Sequence, residues 1–205
     1  MDIQILIAFT IASVVLALTP GPDNIYVLTQ SMANGVKNGL ITVLGLISGC
    51  LVHTTLVAFG VATFIIENQI LFTSLKVFGA LYLLYLAYSV YKSDSEIQFE
   101  TSTASQKSTL GFYLQGFLMN LLNPKVLIFF LAFFPGFLFS DTMPVIAQFY
   151  TLGSIFCLIT FLIFSLIALL AGRISVFVKE SAKVGVFFKW LQVVVFVLLA
   201  VIIFV

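Results

Sequence analysis

Two charged residues stand where the sequence is otherwise apolar. Asp23 follows Thr19-Pro20-Gly21-Pro22 inside one apolar run, and Lys125 follows Asn123-Pro124 inside another, in "NLLNPKVLIFF". A charge in the centre of a membrane segment opposes insertion by roughly 2.5–3.5 kcal/mol, and a simple helix kink needs neither. The two signs together match an amino-acid zwitterion: Lys125 as a cationic partner for its carboxylate, Asp23 as an anionic partner for its ammonium. Asp23 can also titrate, as can His53, the single histidine of the chain. Asp23 is the first candidate for proton coupling and His53 the second; a hydrogen bond across helices is the plainer role for His53.

The prolines beside these charges bear on the backbone. Proline removes a backbone donor and clashes with the preceding turn, so each segment is expected as two half-helices or a steep kink. Thr19 and Asn123 each precede a proline, the order of an N-cap and a first helical residue. A helix starting at Pro20 or Pro22, and another at Pro124, aims free N–H groups and a positive dipole end inward. Such an end suits a carboxylate. Unpaired backbone groups cannot face lipid, so both breaks belong against protein or a water-filled cavity.

Composition sets the surroundings. Of 205 residues, 61% are hydrophobic and only 8% charged, against about 25% charged in soluble domains. A water-soluble globule is excluded. Six apolar runs, at 3–33, 38–66, 71–91, 110–139, 144–171 and 185–205, meet the need for about 20 residues per span. The first and fourth are about 30 residues long, near 45 Å as continuous helix against a hydrocarbon core of about 30 Å. These two carry the breaks. The start of the chain holds Asp2 and no Lys or Arg before Thr19; a signal peptide needs a basic start, so the first helix is expected to be retained.

The polar stretch 92–109, "KSDSEIQFETSTASQKST", divides a single transmembrane domain into repeat one, 1–91, and repeat two, 110–205. "LKVFGALYLLYLAY" and "FKWLQVVVFVLLAV" echo each other in corresponding places. Three helices per half is an odd number, so the second half is expected upside down relative to the first. The fold class is an all-α membrane protein of six transmembrane helices, built as two inverted three-helix repeats with helices 1 and 4 broken. Interrupted segments in matching places of inverted halves point to a transporter's binding site. The loops after helices 1, 3 and 5 hold Lys37, Lys92, Lys107, Arg173, Lys179, Lys183 and Lys189, and the other side only Lys76. Basic loops stay in the cytoplasm, which puts both termini outside.

Other chemistries find little support. One His and two Cys supply no zinc or haem set, and neither a cofactor nor a metal is expected. Cys50 and Cys157 read as buried thiols in packed helices. No nucleophile–base pair marks an enzyme, and no Walker motif offers direct ATP drive. A net charge near +1 offers nucleic acid no partner. The alternative function is a passive channel for small polar solutes, which wants a ring of like groups; one Asp and one Lys make a poor filter. Gly45 and Gly49, with Ser48 between them, read as a helix-packing step. Tyr82, Tyr85, Tyr88 and Tyr91 form a stripe, of which Tyr88 and Tyr91, with Trp190, suit an interfacial belt.

Taken together, "TPGPD", "GLISGCLVH", "LKVFGALYLLYLAY", "NLLNPKVLIFFLAFFPGF" and "LLAGRI" resemble the lysine exporter superfamily, in its threonine- and homoserine-resistance branch, over nearly the whole chain. The resemblance implies a small six-helix exporter of amino acids and related metabolites, in the bacterial inner membrane and driven by the proton gradient. Its partners would be an amino-acid substrate, protons and the lipid bilayer; a homodimer is compatible with it. Carried over by motif, its functional positions are Pro20, Gly21, Pro22, Asp23, Asn123, Pro124 and Lys125.

Overall fold

The computed structural model describes residues 2–61, 69–93, 108–173 and 182–204, and these form helices and short connections with no strand. Most of the linker, the end of the second apolar run at 62–66 and the basic residues Lys107 and Lys179 lie outside the described residues. Helix α1 spans Ile3–Leu18 and α2 Pro22–Asn34. Helix α3, Val36–Leu56, runs on through a π turn, Val57–Val61. Helix α4 is Gln69–Lys92 and α5 Thr109–Leu121. Helix α6, Pro124–Ile128, continues through a π turn, Phe129–Phe133, and a 3-10 turn, Phe134–Phe137. Helices α7, Val145–Leu169, and α8, Ala182–Ile202, complete the set.

Four of these helices, α3, α4, α7 and α8, are long and apolar enough to cross a membrane alone. The two proline-broken segments behave differently. Helices α1 and α2 bend by 54° at their junction, and α5 and the helix beginning at Pro124 by 49°. Among the described residues this gives four candidate spans, and six if each bent pair makes one span. The chain is thus a multi-span helical membrane protein.

The first break has a local cause. A residue before proline is pushed toward extended backbone, and both Thr19, with ψ 117°, and Gly21, with φ −163° and ψ 178°, are extended. Two such residues in alternation with Pro20 and Pro22 postpone the next helix to the second proline. Thr19 therefore does not cap α2. Its hydroxyl donates back to the Val15 carbonyl at 2.6 Å and finishes α1. The second break follows the expected pattern: Asn123 caps α6, its Oδ1 accepting the Lys125 N–H at 3.0 Å, with Pro124 in the first position.

Helix α3 lies on α7, α4 on α8, α5 on α3 and α1 on α7. The α3–α5 contact is the closest. A Cβ on Gly45 would sit 2.1 Å from the Tyr113 carbonyl oxygen, and one on Gly116 would sit 2.2 Å from that of Thr42. The two backbones touch through reciprocal glycines, as small residues permit in membranes. The Tyr113 hydroxyl adds a 2.8 Å bond to Ser48. On the side of the breaks toward the N-terminus, Phe9, Phe129, Phe130, Phe133, Phe134 and Phe156 form one buried aromatic cluster. A smaller core of Val27, Val43, Leu46 and Phe164 closes the other side. Tyr85, Tyr88, Tyr91 and Trp190 are exposed, and Tyr91 packs edge-on against Trp190 near the end of α4, so the lower tyrosine stripe stays on the outer surface.

Candidate functional site

The C-terminal end of α1 exposes carbonyls that no following turn can satisfy. In a bilayer each would cost several kcal/mol if left unpaired. Side chains from three other helices meet them. Asn24 Nδ2, in the first turn of α2, donates to the Ala17 carbonyl at 2.8 Å. Lys125 Nζ, from α6, donates to Leu16 at 3.4 Å and Thr19 at 3.2 Å. Gln192 Nε2, from α8, donates to the Pro20 carbonyl. A cation at this end also complements the negative pole of the α1 dipole. The two breaks, a hundred residues apart in sequence, are therefore in direct contact.

Gly21 makes room for that contact. A Cβ there would lie 3.0 Å from Lys125 Nζ. Pro20 and Pro22 set the backbone on either side, and Pro124 starts the short helix that carries Lys125 inward. Lys125 is 7% exposed and Asp23 2%, and the two lie close enough to interact. The Asp23 carboxylate faces the side-chain amides of Asn123 and Asn120. These amides lie near the carboxylate without closing hydrogen bonds of good geometry: Asp23 Oδ1, Asn24 Oδ1, Asn120 Oδ1 and Asn123 Nδ2 are buried and none has a well-aligned partner. Buried polar groups are nearly always paired. Three vacant acceptors and one vacant donor at the junction of two broken helices therefore call for an explanation.

His53 belongs to the same neighbourhood. It is buried on α3, its Nε2 is 3.4 Å from the Asn120 carbonyl oxygen, and its ring stacks on Phe130 at 5.3 Å. Asn120 thus stands between His53 and Asp23. Gly49 is what lets it in, since a Cβ at that position would lie 2.6 Å from Asn120 Oδ1. The glycine step at 45 and 49 packs helices, and in doing so sets a site residue. The thiols of Cys50 and Cys157 neighbour one another between α3 and α7, buried and free. An open groove of about 610 Å³ runs along α5 from Gly111 past Leu114 and Leu118 to Pro22, Asn123 and Pro124.

All seven motif positions converge on the junction, with His53 one residue removed. The sequence pattern does not single out Asn24, Asn120 or Gln192, which the structure brings to the junction. The available signal was an amide in an apolar helix, which needs a partner.

A LysE type translocator domain matches residues 14–204, almost the entire chain. The chain belongs to the LysE family. Relatives within reach include the homoserine/homoserine lactone efflux protein of Salmonella typhi, 30% identical over 84% of this chain and 82% of that one. The leucine efflux protein of Salmonella choleraesuis (strain SC-B67) is 26% identical over 86% and 85% of the two chains. An uncharacterized membrane protein of Vibrio cholerae is 29% identical over 75% and 74%. No solved structure matches the chain. The match spans both breaks.

Proposed function

We propose that this LysE family member is a secondary exporter of small amino acids, of the homoserine or leucine kind, and that it exchanges them for protons across the bacterial inner membrane. The observation that carries the reading is the cluster of buried, unpaired polar atoms at the two breaks, on Asp23, Asn24, Asn120 and Asn123. The buried Asp23 carboxylate among them favours an ammonium-bearing ligand. Asp23 supplies the negative charge, and Pro20, Gly21, Pro22, Asn123, Pro124 and Lys125 shape and line the site. The relatives named for homoserine, homoserine lactone and leucine efflux support the substrate class. Asp23 is the first proton-coupling group and His53, reached through Asn120, the second. The pairing of α3 with α7 and α4 with α8 suits two inverted repeats, 1–91 and 110–205, rocking about the junction.

In everted membrane vesicles with a respiration-driven gradient, uptake of labelled homoserine or leucine is expected to rise with expression of the protein and to collapse with a protonophore. Uptake indifferent to the protonophore would mark a passive pore. The orientation carries its own expectation. A cysteine placed at position 100 in the linker, in a Cys50→Ala, Cys157→Ala background, should react with an impermeant maleimide in everted vesicles but not in intact cells. Labelling from outside intact cells refutes the placement of both termini outside.

A further inference from the structure

We propose that Lys125 is a built-in stand-in for the substrate's ammonium group, holding the carbonyl end of α1 while the carrier is empty. A substrate ammonium displaces it, and the freed Lys125 turns to the substrate's carboxylate. The inference rests on the proposed export of amino acids and assigns the two halves of a zwitterion to separate subsites. The ammonium takes the Leu16 and Thr19 carbonyls with Asp23; the carboxylate takes Lys125 Nζ.

The quality of the present contacts is the first support. Charge-assisted N–H···O bonds run near 2.7–2.9 Å, whereas Lys125 Nζ stands 3.4 Å from Leu16 O and 3.2 Å from Thr19 O. It serves the site poorly. Asp23 is close enough to Lys125 to interact with it and only 2% exposed as a residue, yet its Oδ1, beside the Asn120 and Asn123 amides, has no well-aligned hydrogen bond. An ammonium has three donors, and a lysine head fixed by its stem satisfies only the two carbonyls here. A small free ammonium is not tethered and can centre itself among the carbonyls and Asp23.

The second support is what becomes of the displaced charge. Lys125 is enclosed, and an ammonium buried without a partner is strongly disfavoured. A ligand that displaces it must also supply an anion within reach of its flexible four-carbon stem. An amino acid does so with its own carboxylate. An ester or lactone of the same amino acid does not, so it can occupy the ammonium subsite only more weakly, with Lys125 lacking an anion. Gly21 leaves room for this exchange, since a Cβ there would crowd Nζ at 3.0 Å.

Binding to the purified full-length protein tests the idea, with leucine against its methyl ester, threonine against its methyl ester, and homoserine against its lactone. Wild type is expected to prefer the free acids by about tenfold or more, the worth of one charged hydrogen bond. In Lys125→Met the preference should vanish or reverse. The free acids lose their carboxylate partner, while the masked ligands bind more tightly than to wild type because no internal cation must leave. Gly21→Ala offers a second variant with Lys125 intact: its Cβ, 3.0 Å from Nζ, shifts the lysine head by a few tenths of an ångström and loosens its hold on the carbonyls, so acids and esters should both tighten by a fewfold. An ester affinity unchanged or weakened in both variants overturns the stand-in role, even if the acids weaken in Lys125→Met as a plain carboxylate partner would require. If wild type binds and exports none of the three acids, the export reading itself fails, and this inference with it.

Discussion

Asp23→Asn is expected to leave a folded protein that no longer exports against a gradient. The substitution is nearly isosteric, and removal of a buried charge eases membrane insertion. The carboxylate is enclosed at the start of α2, opposite Lys125 and beside two amides, with Oδ1 free. An ammonium placed there loses a charge-assisted bond worth about 1.5–3 kcal/mol, roughly a ten- to hundredfold loss of apparent affinity. Asn also cannot take up a proton, so the response to an imposed pH gradient should disappear along with the affinity. Purified protein in liposomes, with labelled substrate and a set pH difference, separates the two effects. Full response of Asp23→Asn to the gradient would move the proton to another group, with His53 next.

Gly45→Ala should have the other large effect, through packing rather than charge. The added methyl would stand 2.1 Å from the Tyr113 carbonyl oxygen and 2.8 Å from the Phe117 nitrogen. Both are backbone atoms of α5 and cannot rotate away, so the helices must separate by more than an ångström. Overpacking of this kind typically costs about 1–3 kcal/mol. The separation also carries Asn120, on the same helix, away from His53 and Asp23. We expect a lower melting temperature in detergent together with reduced export. Gly136→Ala is the control, because a Cβ there meets nothing within 4 Å. Equal melting of Gly45→Ala and wild type would show that the α3–α5 contact is looser than these distances.

Much of this protein is determined locally and so was readable along the chain. Membrane residence follows from 61% hydrophobic and 8% charged residues. The breaks at 19–23 and 123–125 follow from what proline does to its own N–H and to its neighbour. Asp23 and Lys125 stood out because an uncompensated charge in an apolar span needs a reason. Even at the first break, however, the finer choice lay beyond the pattern used. Thr19 before Pro20 has the order of a cap, yet the extended Gly21 before a second proline delays α2, and Thr19 closes α1 instead.

Only the tertiary structure decided which groups complete the site. The carbonyls at the end of α1 are met by Asn24, Lys125 and Gln192, the last two from helices over a hundred residues away in sequence. Nothing in the spacing of those residues specifies which carbonyl each one meets. That depends on the rotation and depth of α6 and α8 against α1. Asn120 reaches Asp23 and His53 only because Gly45, Gly49 and Gly116 let α3 and α5 come into backbone contact. A sequence records that an amide or a cation in an apolar helix must find a partner, since burial without one is costly. It does not record the partner, because that is fixed by how closely and at what angle whole helices pack.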